Sequence, residues 1–428
     1  MEREDFYRDA RSDLVGPLEG VRVVEATTTW SGPMCGCLLA DFGADVIKVE
    51  DPRGEIARRV PPFLPGIEPP LSFMHAAVNR NKRSLSLDLR REDGRRVFLE
   101  LARRSDVVVE NFRPGTMDDW GLGFDSVRAE NPRIVYVSIS GYGQWGPGHE
   151  RVGYDPLAQA ASGYLSLNGD PDGEPVKSPT FLADDLAGLH AALAALAALH
   201  HRDQRGEGQH IDVSLLDAMS FQSTGYLTLG AMGVALPRLG NEFRIAAPAN
   251  TYACRDGRIM AGVLLDSHWK RLTALLGRPE LADDPDYATA PARIARREQV
   301  DALLADWAGA RSVADALARF AEAGIPAAPV RSYAQAAAAP EAQARDMLQS
   351  VAQPCAREGA EVPITGPAAK LSRTPTRVRS GAPELGQHNR EILAELGYDD
   401  DRIAKLERSG ALAGAAPAEA AERRQPAP

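Results

Sequence analysis

The stretch "GVRVVEATTTWSGPMCGCLLADFGADVIKVEDP" (20–52) decides how the chain begins to fold. Its opening, "GVRVVEAT" (20–27), is a short β-branched run and predicts a strand. "GPMCGCLLADFG" (32–43) has helical spacing and stops at Gly43, and "ADVIKVEDP" (44–52) returns to a strand pattern. Strand, helix and strand in this order make a βαβ unit, the start of a parallel sheet covered by helices.

The same alternation continues outward. "NKRSLSLDL" (81–89) reads as a strand, "REDGRRVFLELARRS" (91–105) as an amphipathic helix and "DVVVENF" (106–112) as a strand. A short helix is predicted over "GFDSVRAENP" (123–132), a strand over "RIVYVSISGYG" (133–143) and a buried helix from about Asp185 to Gln204. "HIDVSLLDAM" (210–219) follows as strand then helix. After about Gly225 the texture changes. "APANTYACRDGRIMAGVL" (247–264) predicts a hairpin around "RDG", and three helices with a return strand follow, ending at "GIPAAPV" (324–330). The expected division is an α/β part over 1–225, a smaller α+β domain over 226–330, and a return through 331–410 with a last helix at 388–397. The Ala/Pro/Glu-rich end, 411–428, reads as disordered.

At 428 residues, with 44% hydrophobic and 25% charged residues, the composition is that of a globular protein with a sizeable core. A net charge of -10 argues against nucleic acid or an anionic membrane as the main partner. The four cysteines have no metal-ligand spacing and suggest no disulfide framework, so neither a metal nor a permanently bound cofactor is expected. The charged start carries no signal-peptide pattern, and the apolar run Leu186 to Leu199 is too short to span a bilayer, which together read as cytoplasmic.

The turn after the first strand lacks the G-x-G-x-x-G fingerprint, so Glu50 is a poor match for a ribose-binding acid; no P-loop, G-x-S-x-G or H-E-x-x-H occurs. In "VVVENFRPG" (107–115), Asn111, Phe112 and Arg113 leave a parallel strand at its carboxyl end, where α/β proteins bind ligands. Arg80, Lys82 and Arg83 in "NRNKRS" (79–84) could contact phosphate or be a solvated turn. In "FLADDLAGLH" (181–190) two acids, Asp184 and Asp185, open the buried helix. Either caps the helix, or a carboxylate kept ionised by the helix N-terminus serves as a nucleophile.

These segments, with "PLEGVRVVEAT", "NRNKRSLSLDL", "DVVVENFRPG", "GYDPLAQAASG", "ADDLAGLHAALAALAAL" and "RGEGQHIDVSLLDA" in order, resemble the family III coenzyme A transferases of CaiB/BaiF type, which include acyl-CoA racemases. The likeness runs from about Leu18 to about Leu406. It implies a Rossmann-like large domain built from the N- and C-terminal parts, a small middle domain, and an interlocked homodimer. It implies CoA transfer from an acyl-CoA donor to a carboxylic acid acceptor, with CoA and acyl-CoA as substrates, through aspartyl anhydride and aspartyl-CoA intermediates. The family spacing to Gly188 and to "GEGQ" singles out Asp184 as nucleophile and leaves Asp185 as a capping or supporting acid. CoA contacts carry over to Thr29, Trp30, Val78, Asn79, Lys82, Arg83, Asn111, Phe112 and Arg113, and the acyl pocket to Trp30, Trp145 and Tyr154.

The sequence departs from the family pattern in places. Trp30 stands where formyl-CoA transferases have glutamine, their glycine-rich lid is replaced by "GNEFRIAAPANTY", and Asp119 sits where a basic residue is common. The racemase branch has "GHD" where this chain has Gly153-Tyr154-Asp155; His149 is displaced, so the acid–base partner of an α-proton transfer is missing.

Overall fold

The computed structural model describes residues 1–356 and 359–412. Six strands, β1 (Arg22–Ala26), β2 (Asp45–Glu50), β3 (Lys82–Ser86), β4 (Val107–Glu110), β5 (Val135–Ser140) and β6 (His210–Ser214), form one sheet in the order β3-β2-β1-β4-β5-β6. Every neighbouring pair is parallel. The central strands β1, β4 and β5 are almost wholly buried because helices cover both faces of such a sheet. The order reverses between β1 and β4, and the crevice outside their carboxyl ends is the topological switch point where doubly wound sheets take ligands.

Two compact units divide the chain. The first comprises 1–163, 178–227 and the described residues from 341 to 412; the second comprises 164–177 and 228–340. The expected boundary at 225–226 misses the excursion 164–177. Arg238 explains why that segment goes with the second unit: its guanidinium donates to the carbonyls of Ser166, Asp170 and Gly173. The second unit carries the hairpin β7 (Ala249–Cys254) and β8 (Gly257–Gly262), joined by β9 (Ala327–Pro329) in an antiparallel sheet. Trp269, Leu304, Trp307 and Phe320 pack a core of its own.

In the first unit, helix Leu182–Arg205 begins three residues earlier than the apolar pattern predicts. A row of alanines, Ala183, Ala187, Ala191 and Ala195, recurs every four residues and is buried. By length and composition alone this helix could cross a membrane. That small-residue row instead lets it lie close to helix Ser31–Asp41 and to β5.

The C-terminal return adds more than the single expected helix. Asn389–Glu395 is followed by Asp400–Ser409, which Asp399 caps by accepting the Arg402 N–H at 2.9 Å. Ile392, Leu393, Ile403 and Leu406 share a core with Val24, Ile47 and Leu85 of the sheet. Ala411 and Leu412, expected as the start of a disordered tail, are buried in that core, and Asp88 donates its N–H to the Ala411 carbonyl at 2.8 Å. The rest of the tail, 413–428, lies outside the described residues.

Candidate active site

At the switch point a cavity of about 640 Å³ opens above the carboxyl ends of β1, β4 and β5. The loop after β1 supplies Thr28 to Ser31, the loop after β4 supplies Asn111 to Pro114, and the segment after β5 supplies Ser140, Gly141 and Arg151 to Pro156. Phe181 and Asp184 close one side.

Asp184 sits in the first turn of its helix and faces the start of helix Ser31–Asp41. Gly188, one turn further on, explains the close approach. A Cβ there would lie 2.8 Å from the Ser31 carbonyl oxygen and 2.9 Å from Met34 Cβ, so only glycine allows this packing. Burial raises the Asp184 carboxyl to about 7, the charge of Asp155 adds to the rise, and the hydroxyl and N–H of Ser31 oppose it. From sequence, the helix N-terminus is expected to keep this carboxylate ionised. The structure differs because desolvation and a neighbouring acid outweigh the donors.

Neither residue of the Asp184–Asp185 pair caps the helix. Asp155, at the head of helix Asp155–Ala161, does so from outside: its Oδ1 accepts the Ala183 N–H at 2.7 Å. Its Oδ2 accepts Gln159 Nε2, also at 2.7 Å, and Gln159 Oε1 in turn accepts the Ser178 N–H. The sequence assigns Asp155 no role beyond its place in "GYDPLAQAASG". The usable signal was an acid before proline at a helix start, with glutamine four residues on. Of the two roles expected of Asp185, capping or support, the contacts match support. Its Oδ1 accepts the Trp30 indole N–H at 2.6 Å. The Trp30 ring lies 5.1 Å from that of Phe181 and 6.4 Å from that of Phe73, so three contacts fix it at the cavity wall.

The loop after β4 is divided between support and access. Asn111 is spent on the neighbouring loop, accepting the Thr28 N–H and donating to the Thr28 carbonyl, both at 2.8 Å. Phe112 lines the cavity with its ring edge on Trp120, 5.3 Å away. Arg113 also lines it; its guanidinium donates to the Glu150 carbonyl at 3.1 Å and makes no ion pair among the described residues. Tyr154 reaches the cavity as expected from its position.

Five of the residues expected at the CoA or acyl site, and Arg80 with them, do not line this cavity. Trp145 is 79% exposed on the loop after β5. Val78 is buried in the core, and Asn79 is buried between His75 and Lys82. Lys82 Nζ donates to Glu25 Oε1 and to the Pro33 carbonyl, each at 2.8 Å, and its side chain is wholly buried. Arg83 is held by Asp45, Glu391 and Glu395. Arg80 likewise pairs with Asp41. The basic loop 79–84 therefore ties β3 to its neighbours, because its cations find carboxylates inside the fold. Glu50 pairs with Arg58 rather than with a ribose. His149 folds back on the Gly146 carbonyl at 2.8 Å and does not line the cavity.

A family model described as CoA-transferase family III matches residues 18–389. The chain is 37% identical over 389 residues to a succinate–glutarate CoA-transferase of Agrobacterium fabrum, covering 89% of this chain and 96% of that one. It is 37% identical to a succinyl-CoA:mesaconate CoA-transferase of Haloarcula hispanica, over 90% of this chain and 97% of that one. Among solved structures, a CAIB/BAIF family protein from Brucella suis superposes with a TM-score of 0.80 at 38% identity, over 89% of this chain and 99% of that one.

Proposed function

Since this chain belongs to the family III CoA-transferases, enzymes that transfer CoA between acyl groups, we propose that Asp184 is the group through which CoA passes. Asp184 attacks the carbonyl carbon of the donor thioester; the C–S bond breaks, giving a mixed anhydride and CoA thiolate. The thiolate attacks the aspartyl carbonyl, releasing the donor as a carboxylate and leaving an aspartyl-CoA thioester. The acceptor carboxylate then attacks that thioester and expels the thiolate, which takes the acyl group from the second anhydride and frees Asp184. One thioester and one carboxylate are present at the start and at the end, so the overall exchange is nearly isoenergetic although each anhydride lies uphill.

The observation that carries this reading is the placement of Asp184 at the cavity wall, against the first turn of helix Ser31–Asp41. The N–H groups of that turn favour negative charge there, on the carboxylate and on the oxygen of each tetrahedral intermediate. Phe112 and Arg113 are the ligand-facing pair for the CoA moiety, and the fixed Trp30 with Tyr154 bounds the acyl end. The relatives named for succinyl-CoA support a carboxylate-bearing acyl group. Incubation with acyl-CoA, trapping with hydroxylamine or borohydride, and peptide mapping by mass spectrometry test the assignment; an adduct on Asp185, or none during productive exchange, would sink it.

α-Proton transfer is the competing reading. Tyr154 occupies the position of the racemase histidine, which supports exchange instead. Turnover in deuterated water separates the two: CoA exchange leaves the acyl α-carbon unlabelled.

The active form is proposed as an interlocked homodimer. On helix Leu182–Arg205, Leu189 and Leu193 are 52% and 62% exposed, and Phe221 beside His190 is 75% exposed. An apolar face of this kind marks an interaction surface.

A further inference from the structure

Thr29, on the cavity wall, adopts φ +61°, the left-handed region. For a β-branched residue this is a strained conformation, and such strain persists only where the surroundings over-determine it. One hydrogen bond fixes it from below. The Thr29 N–H donates to Glu55 Oε2 at 2.8 Å. Glu55 is buried, at the head of the short helix Ile56–Arg58, and its own N–H donates to Glu50 Oε1 at 3.0 Å. Its other oxygen meets Lys48 Nζ at 3.0 Å, and Lys48, wholly buried, also donates to the Thr27 carbonyl at 2.9 Å.

A buried ion pair seldom repays its desolvation in stability, so its placement calls for another account. Here the pair grips three successive residues of the loop from both sides: Lys48 holds Thr27 and Glu55 holds Thr29, while Asn111 holds Thr28 between them. The left-handed turn at Thr29 then delivers Trp30 and Ser31 to the start of their helix. Ser31 faces Asp184 there, and Trp30 meets Asp185.

We infer that Glu55 is a positioning residue: by accepting the Thr29 N–H it holds the left-handed turn that aims Ser31 and Trp30 at the Asp184–Asp185 pair. The inference rests on the proposed role of Asp184.

Reach rather than charge is the property to vary. Glu55→Gln and Glu55→Asn both remove the charge, but only the glutamine oxygen reaches Thr29. The Asn variant should have kcat for CoA exchange at least tenfold below the Gln variant, with KM for acyl-CoA within threefold, since Phe112 and Arg113 are untouched. Adding Thr29→Gly to Glu55→Asn should restore kcat at least fivefold, because glycine adopts φ > 0 without strain. Equal kcat in the Gln and Asn variants, or no recovery with Thr29→Gly, would overturn the inference. If losing the charge unfolds both, the comparison is repeated with Lys48→Met, which removes the stranded cation. Amide hydrogen exchange at Thr29, slow with Glu or Gln at 55 and fast with Asn, reads the brace without reference to activity. A parent enzyme with no CoA exchange refutes the Asp184 reading, whereas an active parent with unchanged Thr29 protection in the Asn variant refutes the brace alone.

Discussion

Asp155 accepts the Ala183 N–H at 2.7 Å, one residue before Asp184, so a single carboxylate both caps the helix and presses on the acid beside it. Capping orients the first turn and repulsion raises the Asp184 carboxyl. In Asp155→Asn the amide oxygen can still accept from Ala183 while the charge is gone. The acidic limb of kcat/KM against pH, which reports ionisation of Asp184 in the free enzyme, should shift to lower pH by roughly half to one unit. Asp155→Ala loses the cap as well and should cost about 1 kcal/mol of stability in denaturant melts.

Asp184→Asn removes the nucleophile. Exchange should fall at least on the order of 1,000-fold, as expected when a covalent step has no attacking group, with no trapped adduct in mass spectra. The stability effect has the opposite sign above neutrality. Because the folded carboxyl is raised from 3.8 to about 7, stability it contributes below pH 4 is lost as pH climbs through 7. The Asn variant has no such loss. Thermal melts at pH 8 should show it more stable than the parent, by on the order of 1 kcal/mol after allowance for partial solvent contact, and the advantage should vanish at pH 4.

Gly188→Ala tests the helix contact beneath the nucleophile. Its methyl group would meet the Ser31 carbonyl at 2.8 Å, and a backbone atom cannot swing aside. Overpacking of this kind costs about 1–3 kcal/mol, and the displaced first turn should lower kcat by about tenfold or more. Chemical melts and initial rates on the same sample check both effects.

Leu193→Glu places a charge on the exposed apolar face of helix Leu182–Arg205, away from the alanine row that packs within the unit. The variant should fold, and light scattering should show that the proposed dimer no longer assembles, with activity falling in parallel. Parent-like assembly would count against that face.

Much of the fold was legible because the strands are buried on both sides: "GVRVVEAT" and "DVVVENF" state their type without knowledge of their neighbours. Helix Asp400–Ser409 was not, since its charged composition hides the two residues, Ile403 and Leu406, that reach the core. At the candidate site, the residues whose cavity position could be read from the sequence are those at the ends of strands and helices. Asp184, Phe112, Arg113 and Tyr154 reach the cavity. Lys82 and Arg83 misled because a cation in a loop looks the same whether its carboxylate is a ligand's or, as here, Glu25 or Asp45 fifty-seven and thirty-eight positions away in the chain. Asp155 was missed because the N–H it caps belongs to another helix: its acid–proline start marks its own helix and says nothing of Ala183.

The burial of Ile392, Ile403, Leu406 and Leu412 against β1, β2 and β3 also bears on the order of synthesis. Helix Glu92–Arg103 covers part of that face early through Val97, Phe98 and Leu101, but the cover is complete only when residue 412 has left the ribosome. At roughly 5–20 residues per second, the opening strands wait some fifteen seconds or longer with a partly covered apolar face. Nascent chains stalled before position 390 should therefore be the species that chaperones hold, and a fusion that delays release of the C-terminus should lower the yield of soluble enzyme more than one at the N-terminus.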